Sequence, residues 1–448
     1  MKLPLICATA CLTVCACAQT NISGTNFLDH PLSRHDAVEI AMAHNSTILR
    51  GRADLRATYG IEMQLRSAVM PRVAITGFYK ATQSSLVNEP FPGQTVNTFP
   101  LPDQNWQTDG QIQQPLYNGR ITSSLRSAKL TREQAVLTFH ATVEDALLAT
   151  RIAYDDVLLA QQQIVVQEAS IKLLVNQLED MQRRYQAGTV PQFNVLRAQV
   201  ELANSRPRLI TARNQLPISK NNLVNLLGYT LPRSVLDDIP LQMADKLEAP
   251  PLSVDLASAL GRALDQRSEI AALRKTERLR HEDIITARAG YRPSLQAFGG
   301  YQFRSPSFTE DLTHELNGWE AGVNLAWSPW DGGLTRGKIV EAEARHERAV
   351  VDVQDEQRQI ELEVRTSYSQ FVQAQEVLES QKKVQEEAEE ALRLADARMH
   401  AGTGTQLDVL NAQTSLTDAR TTQIQALHDY SVARSRLKRA IGEDLQKD

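Results

Sequence analysis

The chain has 448 residues, 42% of them hydrophobic and 23% charged, and a mean hydropathy of −0.33, values of an ordinary folded protein. A formal net charge of −5 and a pI near 6.0 leave no global basic field, which excludes nucleic acid as the main partner. All four cysteines lie in the first 17 residues and only 24 residues are aromatic, so a disulfide scaffold and a Cys-ligated metal centre are excluded from the body of the chain.

Residues 1–18 read as a signal peptide: Lys2, an apolar run from Leu3 to Val14, then small residues at Ala16 and Ala18. Two processing routes fit. Cleavage after Ala18 starts the mature chain at Gln19, whereas Val14-Cys15-Ala16-Cys17 resembles a lipoprotein box that leaves Cys17 acylated. No later uninterrupted apolar stretch approaches the ~20 residues of a membrane helix, which leaves a β-barrel as the available membrane form.

From residue 19 to 228 the pattern is helix, strand, loop, strand, long helix, turn, helix. The first helix covers about Ser46 to Met70, and strands follow at about 72–83 and 106–116. A proline-free stretch from about Arg120 to Ala187 has 68 residues, roughly 100 Å as a helix. A helix of 36 residues, about Gln192 to Leu227, follows; kinks or breaks are expected at Pro207 and Pro217. Residues 229–252 form a linker. Residues 253–442 then repeat the pattern, with strands at about 294–304 and 319–328, a long helix at about 334–401 and a last helix from Gln406 to Ile441. Thr405-Gln-Leu-Asp408 resembles a capping box at its start, and residues 443–448 form a short tail.

These two stretches are copies of one unit. Pro71-Arg-Val-Ala-Ile-Thr-Gly-Phe-Tyr aligns with Pro293-Ser-Leu-Gln-Ala-Phe-Gly-Gly-Tyr at an offset of 222, which also pairs Ala37 with Ala259 and Ala41 with Ala263. Further on, at an offset of 214, residues 184–199 and 398–413 are identical at nine of 16 positions. The chain is a tandem duplication.

The strands alternate with period two. Gln107, Asp109, Gln111, Gln296, Gln302, Glu320 and Asn324 fall on the polar side, which makes them candidates for a wetted lumen. Thirteen of the 24 aromatics, including all four tryptophans, lie in residues 71–117 and 293–330, as in the girdles of a membrane barrel. Four strands cannot close a barrel in lipid, so several protomers must share one.

With its duplicated unit, its Gln114-Pro-Leu-Tyr-Asn-Gly-Arg120 and Ser328-Pro-Trp-Asp-Gly-Gly333 strand exits and its repeated Arg-x-x-Ala-Gly-Thr turns, the chain resembles the outer membrane efflux protein family, the TolC-like channels of Gram-negative bacteria. The resemblance implies a mostly α fold with membrane β: a homotrimer whose 12-stranded β-barrel, four strands per protomer, continues into a long periplasmic α-helical barrel. It implies a passive exit duct without cofactor or catalytic centre. Its implied partners are outer-membrane lipid, a periplasmic adaptor protein and an inner-membrane transporter of RND, ABC or MFS type. Carried onto this chain, the tip turns that dock the adaptor hold Arg184, Gly188, Thr189, Val195, Leu196, Arg398, Gly402, Thr403, Val409 and Leu410. The periplasmic aperture falls at Asp408, Asn411 and Asn194. Where the family locks its tip with Arg and Tyr reaching Asp, this chain has Gly404, Met399 and Asn194, so a salt-bridged lock is not expected.

Plainer readings stand beside these. Asp408 also suits a helix cap, and Glu386, Glu387, Glu389 and Glu390 a solvated helix face. The nine histidines are scattered, and His314-Glu315 lacks the second histidine of a zinc-protease helix, so no metal site is expected. The alternative function is a periplasmic adaptor or structural coiled-coil protein without a pore; a secreted hydrolase comes third.

Overall fold

The computed structural model describes residues 30–83, 103–230, 239–306 and 312–443. The signal segment, Cys17 with its acylation, and residues 444–448 of the tail lie outside the described residues. In chain order the elements are α1 (Arg34–His44), α2 (Ser46–Arg66), β1 (Arg72–Ala81), β2 (Gln104–Asn118), α3 (Ile121–Gln186) and α4 (Gln192–Leu226). The second half holds α5 (Leu256–Gln266), α6 (Ser268–Arg288), β3 (Ser294–Arg304), β4 (Leu316–Ala326), α7 (Leu334–His400) and α8 (Gln406–Ile441). With 66 and 67 residues, α3 and α7 are each about 100 Å long.

Each long helix is one unbroken rail, and shorter helices pack along it. In the first half α2 and α4 lie against α3 and meet end to end. Asn45 makes that joint. Its Oδ1 accepts from the backbone N–H groups of Thr47 (2.8 Å) and Ile48 (3.3 Å), capping α2, while its Nδ2 donates to the Leu226 carbonyl at the end of α4 (2.6 Å). Leu223 and Leu227 pack there with Tyr154 and Val157 of α3 and with Ala37 and Ala41 of α1. Leu437 and Ile441 of α8 make the matching cluster with Ile360 and Val364 of α7 and Ala259 and Ala263 of α5. The apolar core is therefore a set of clusters strung along the rails.

Of the kinks or breaks expected at Pro207 and Pro217, the break is absent: α4 continues through both. Each proline removes a hydrogen bond to the carbonyl four residues back, at Ala203 and Arg213, and both of those residues are exposed. Leu202, Ser205, Ala212 and Ser219 occupy the buried face, so packing carries the helix across each gap.

All four strands form one antiparallel sheet in the order β1-β2-β3-β4. Among the described residues, no strand pairs with the outer edges of β1 and β4. The strand–helix junctions all sit at one end, so the sheet stands on top of the helices.

Candidate conduit and helical tip

Residues paired across an antiparallel ladder point to the same side, so register decides what each face is. Val73 pairs with Ile112, Ile112 with Gly299 and Gly299 with Ala321; Tyr79 pairs with Trp106, and Tyr301 with both Gly110 and Trp319. One face thus carries Val73, Ile75, Ile112, Leu295, Ala297, Val323 and Leu325. Tyr79, Trp106, Tyr301 and Trp319 edge it towards the loops. Trp327 and Trp330 lie at the helix end, Trp330 with 87% of its surface exposed and the Trp327 Nε1–H donating to the Tyr291 carbonyl (3.2 Å). Eight residues of strand separate Trp319 from Trp327, about 26 Å, the height of an apolar membrane band flanked by aromatic girdles.

The opposite face is polar and hydrogen-bonded. Asp109 lies opposite Gln302 and Thr76, Gln111 opposite Gly300, Gln296 opposite Asn324, and Glu320 opposite Gly300. Thr76 donates to Asp109 (2.9 Å), Gln113 to Gln111 (2.7 Å), and Gln296 to Gln113 (2.9 Å). All seven lumen candidates, Gln107 among them, stand on this one face. Phe78, Phe298 and Leu316 are the large apolar side chains that the register places there, beside Ala74, Pro115 and Ala326.

At the far end of the helices the two turns share their central hydrogen bonds. Gly188 and Gly402 have φ of +73° and +74°, a region open to glycine at little cost. The Thr189 N–H donates to the Arg184 carbonyl (2.9 Å) and the Thr403 N–H to the Arg398 carbonyl (3.0 Å). Val195 and Val409 are buried with Met181, Ala198 and Met399, which joins the turns of both halves. Leu410 packs with Leu174 and Leu202, whereas Leu196, Arg398 and Asn411 are exposed.

Asp408 closes a capping box: Oδ2 accepts from the Thr405 N–H (2.9 Å) and hydroxyl (2.8 Å), and the Asp408 N–H donates to Thr405 Oγ1 (3.2 Å). The backbone N–H and then the hydroxyl of Thr405 hold its carboxyl below the ordinary range. Asn194 offers its backbone carbonyl to Gln406 Nε2 (3.0 Å), which ties the start of α8 to the start of α4. Where the resemblance leaves no lock, a contact the sequence did not indicate connects the turns. The Arg184 guanidinium bonds Asp180 (2.8 Å) and donates to His400 Nδ1 (3.2 Å). Among the described residues no group of three side chains is placed to hold a metal ion.

Higher up, two buried arginines are held by carboxylates. Arg267 bonds Glu269 (3.0 Å) and Glu363, and Arg439 bonds Glu269, Asp145 (2.8 Å) and Glu144 (3.3 Å). Burial works against the Glu269 charge, but the hydrogen bonds and fields of the two arginines overcome it and hold its pKa down to about 2.

Comparison with known proteins agrees with this geometry. The outer membrane efflux protein family matches in two segments, residues 37–229 and 259–443. The outer membrane protein TolC of Vibrio cholerae is 24% identical over 412 residues, covering 91% of this chain and 90% of that protein. The alkaline protease secretion protein AprF of Pseudomonas aeruginosa is 25% identical over 332 residues, covering 73% and 67%. The solved structure of the outer-membrane channel OprN superposes with a TM-score of 0.76 at 20% identity, over 94% of this chain and 92% of that one. With a lipid-suited face, a polar face and a duplicated helical tip in one protomer, the chain belongs to the outer membrane efflux protein family, resides in the outer membrane and reaches into the periplasm with its helices.

Proposed function

We propose that three copies of this chain assemble into one exit duct, each contributing its sheet to a barrel of twelve strands and its helices to a periplasmic tunnel. The observation that carries this is the sheet: one face mainly apolar between aromatic girdles, the other mainly polar, and both edges open among the described residues. An open edge in lipid leaves backbone groups unpaired, so the edges of β1 and β4 call for the β4 and β1 of neighbouring copies. The polar faces then line a water-filled path. The duct performs no covalent chemistry and couples no energy itself. Transport is driven by an inner-membrane pump of RND, ABC or MFS type, linked to the duct by a periplasmic adaptor that docks at the turns around Gly188-Thr189 and Gly402-Thr403. Asp408, Asn411 and Asn194 border the aperture at that tip. Relatives named for protease secretion and for outer-membrane efflux support a reading that covers both.

The test is fractionation followed by electrophysiology. The protein is expected in outer-membrane fractions as a heat-modifiable trimer that conducts ions in planar bilayers. Recovery as a urea-soluble periplasmic protein without conductance overturns the reading in favour of a pore-free adaptor, which has no use for an apolar sheet face 26 Å tall.

A further inference from the structure

The two halves of the protomer meet along α3, which packs on α6 nearer the sheet, with Lys275 on Glu133 (2.6 Å) and Ser123 on Thr286 (2.8 Å), and on α8 towards the tip. At the tip end this seam includes the apolar contacts of Met181, Val409 and Leu410. Along the rest it is a ladder of polar pairs. Gln413 reaches Gln177 (3.3 Å), Thr417 reaches Ser170 (3.0 Å), and Gln167 reaches Thr421 (3.5 Å). Above these His428 reaches Asp156 (2.9 Å), Ser431 reaches Asp155 (2.6 Å), and Arg439 reaches Asp145 (3.0 Å). Within each half the helices share the apolar clusters strung along the rails, the first of which Leu427 of α8 also touches across the seam.

His428 is the one histidine among these pairs, and it is held at both ring nitrogens. Nε2 faces Asp156 Oδ1 of α3 at 2.9 Å, and Nδ1 faces Asp429 Oδ1 of its own helix at 3.1 Å. A neutral imidazole has one N–H and one lone pair, so it donates to one carboxylate and turns a lone pair towards the other. Only the imidazolium donates to both. The surroundings are otherwise nearly free of charge. A groove of about 460 Å³ beside the ring is lined from α7 by Gln370, Gln373, Ala374 and Val377, and from α8 also by Arg436. On α3, the neighbouring Asp155 is turned away, bonded to Ser431 (2.6 Å) and Arg34 (2.6 Å). Gln425 steadies Asp429 (2.9 Å).

We propose that His428 is a proton-operated clasp on this seam: protonated, it ties α8 to α3, and neutral, it must release one of its two carboxylates. Burial opposes the imidazolium, but the hydrogen bonds to Asp156 and Asp429 outweigh it and raise the pKa above the ordinary histidine value. The sign follows from that direction. A raised folded-state pKa means the link is complete below the ordinary value and is lost as pH rises through the raised one. The two halves therefore grip each other more firmly in mildly acidic than in alkaline surroundings. His428 acts as a positioning residue for the helices that end at the tip and has no part in the lumen chemistry.

The seam can be read directly by pulsed electron resonance in the full trimeric protein, with nitroxides at the exposed positions Val165 of α3 and Thr422 of α8. Between about pH 6 and about pH 9 the population at longer separation should rise at least about twofold in the otherwise wild-type protein. It should stay constant in His428→Gln. Asp156→Asn, which keeps the ring but removes its partner across the seam, should likewise lose the pH response, and it answers the question if the His428 variant fails to assemble. A response of the same size in either variant, or none in the wild-type background, overturns the proposal.

Discussion

At the scale of single residues, Asp408 carries two roles that substitutions separate. Thr405→Ala removes the hydroxyl of the capping box and leaves the charge, and should cost about 1 kcal/mol of helix stability. Asp408→Asn retains an acceptor and removes the charge. If Asp408 borders the aperture, single-channel recordings should show altered cation block in Asp408→Asn and near-normal block in Thr405→Ala; equal behaviour would confine Asp408 to capping. Glu269 allows a pH test. Its carboxyl, with an ordinary value of 4.5, is held at about 2 by Arg267 and Arg439, so its contribution is full above the ordinary value and is lost as pH falls through about 2. Denaturation midpoints of the wild type should therefore fall more steeply below about pH 5 than those of Glu269→Gln, which starts lower because two buried arginines lose the carboxylate they share. Little of this scale was legible beforehand. Asp156 and His428 are 272 residues apart, and Arg184 and His400 are 216 apart. Such pairs are created by the way the halves dock, and no local pattern announces them. The capping box was legible because its partners are three residues apart.

At the scale of elements, period and punctuation carried most of the information. Proline-free stretches bounded by Gly-Thr turns place α3 and α7 within a residue or so, and alternation places β3 at its observed limits. Strand β4 begins three residues earlier than expected, at Leu316, because Leu316 and Asn317 continue the ladder opposite Arg304 and Phe303, and it ends two residues short, at Ala326. Helices α1 and α5 were visible only as the paired alanines Ala37/Ala259 and Ala41/Ala263, which are almost fully buried where these short helices cross the rails. The prolines of α4 do not break it, because local propensity is overridden when a helix has a full packing face on one side. The turns supply a sharper test. A Cβ on Gly402 meets nothing within 4 Å, so Gly402→Ala suffers only from its φ of +74° and should lose about 1–2 kcal/mol, seen as a lower denaturation midpoint. Gly402→Asn should lose less, since asparagine tolerates that region better.

At the scale of the whole molecule, the two sides of the sheet should respond oppositely to the same added charge. Val323 lies midway between Trp319 and Trp327 on the apolar face; Val323→Lys should cost about 2–4 kcal/mol and reduce the amount of assembled protein in the outer membrane. Its neighbour Asn324 faces the polar side, and Asn324→Lys should assemble normally while shifting ion selectivity towards anions, measured as a reversal potential under a salt gradient. The duplication and the need for neighbouring copies were legible from sequence, because both follow from counting. How the halves lean on each other was not, since that depends on which helices share a seam. The joint at Asn45 gives this arrangement a mechanical character. Each stave of the duct has one continuous rod and one jointed at a knuckle roughly 40–50 Å below the sheet, at Asn45 in the first half and at the related Arg267 in the second. A rod resists stretching and a knuckle admits bending, so a sideways load applied at the tip is taken up at mid-height, and the ring of strands above keeps its circumference.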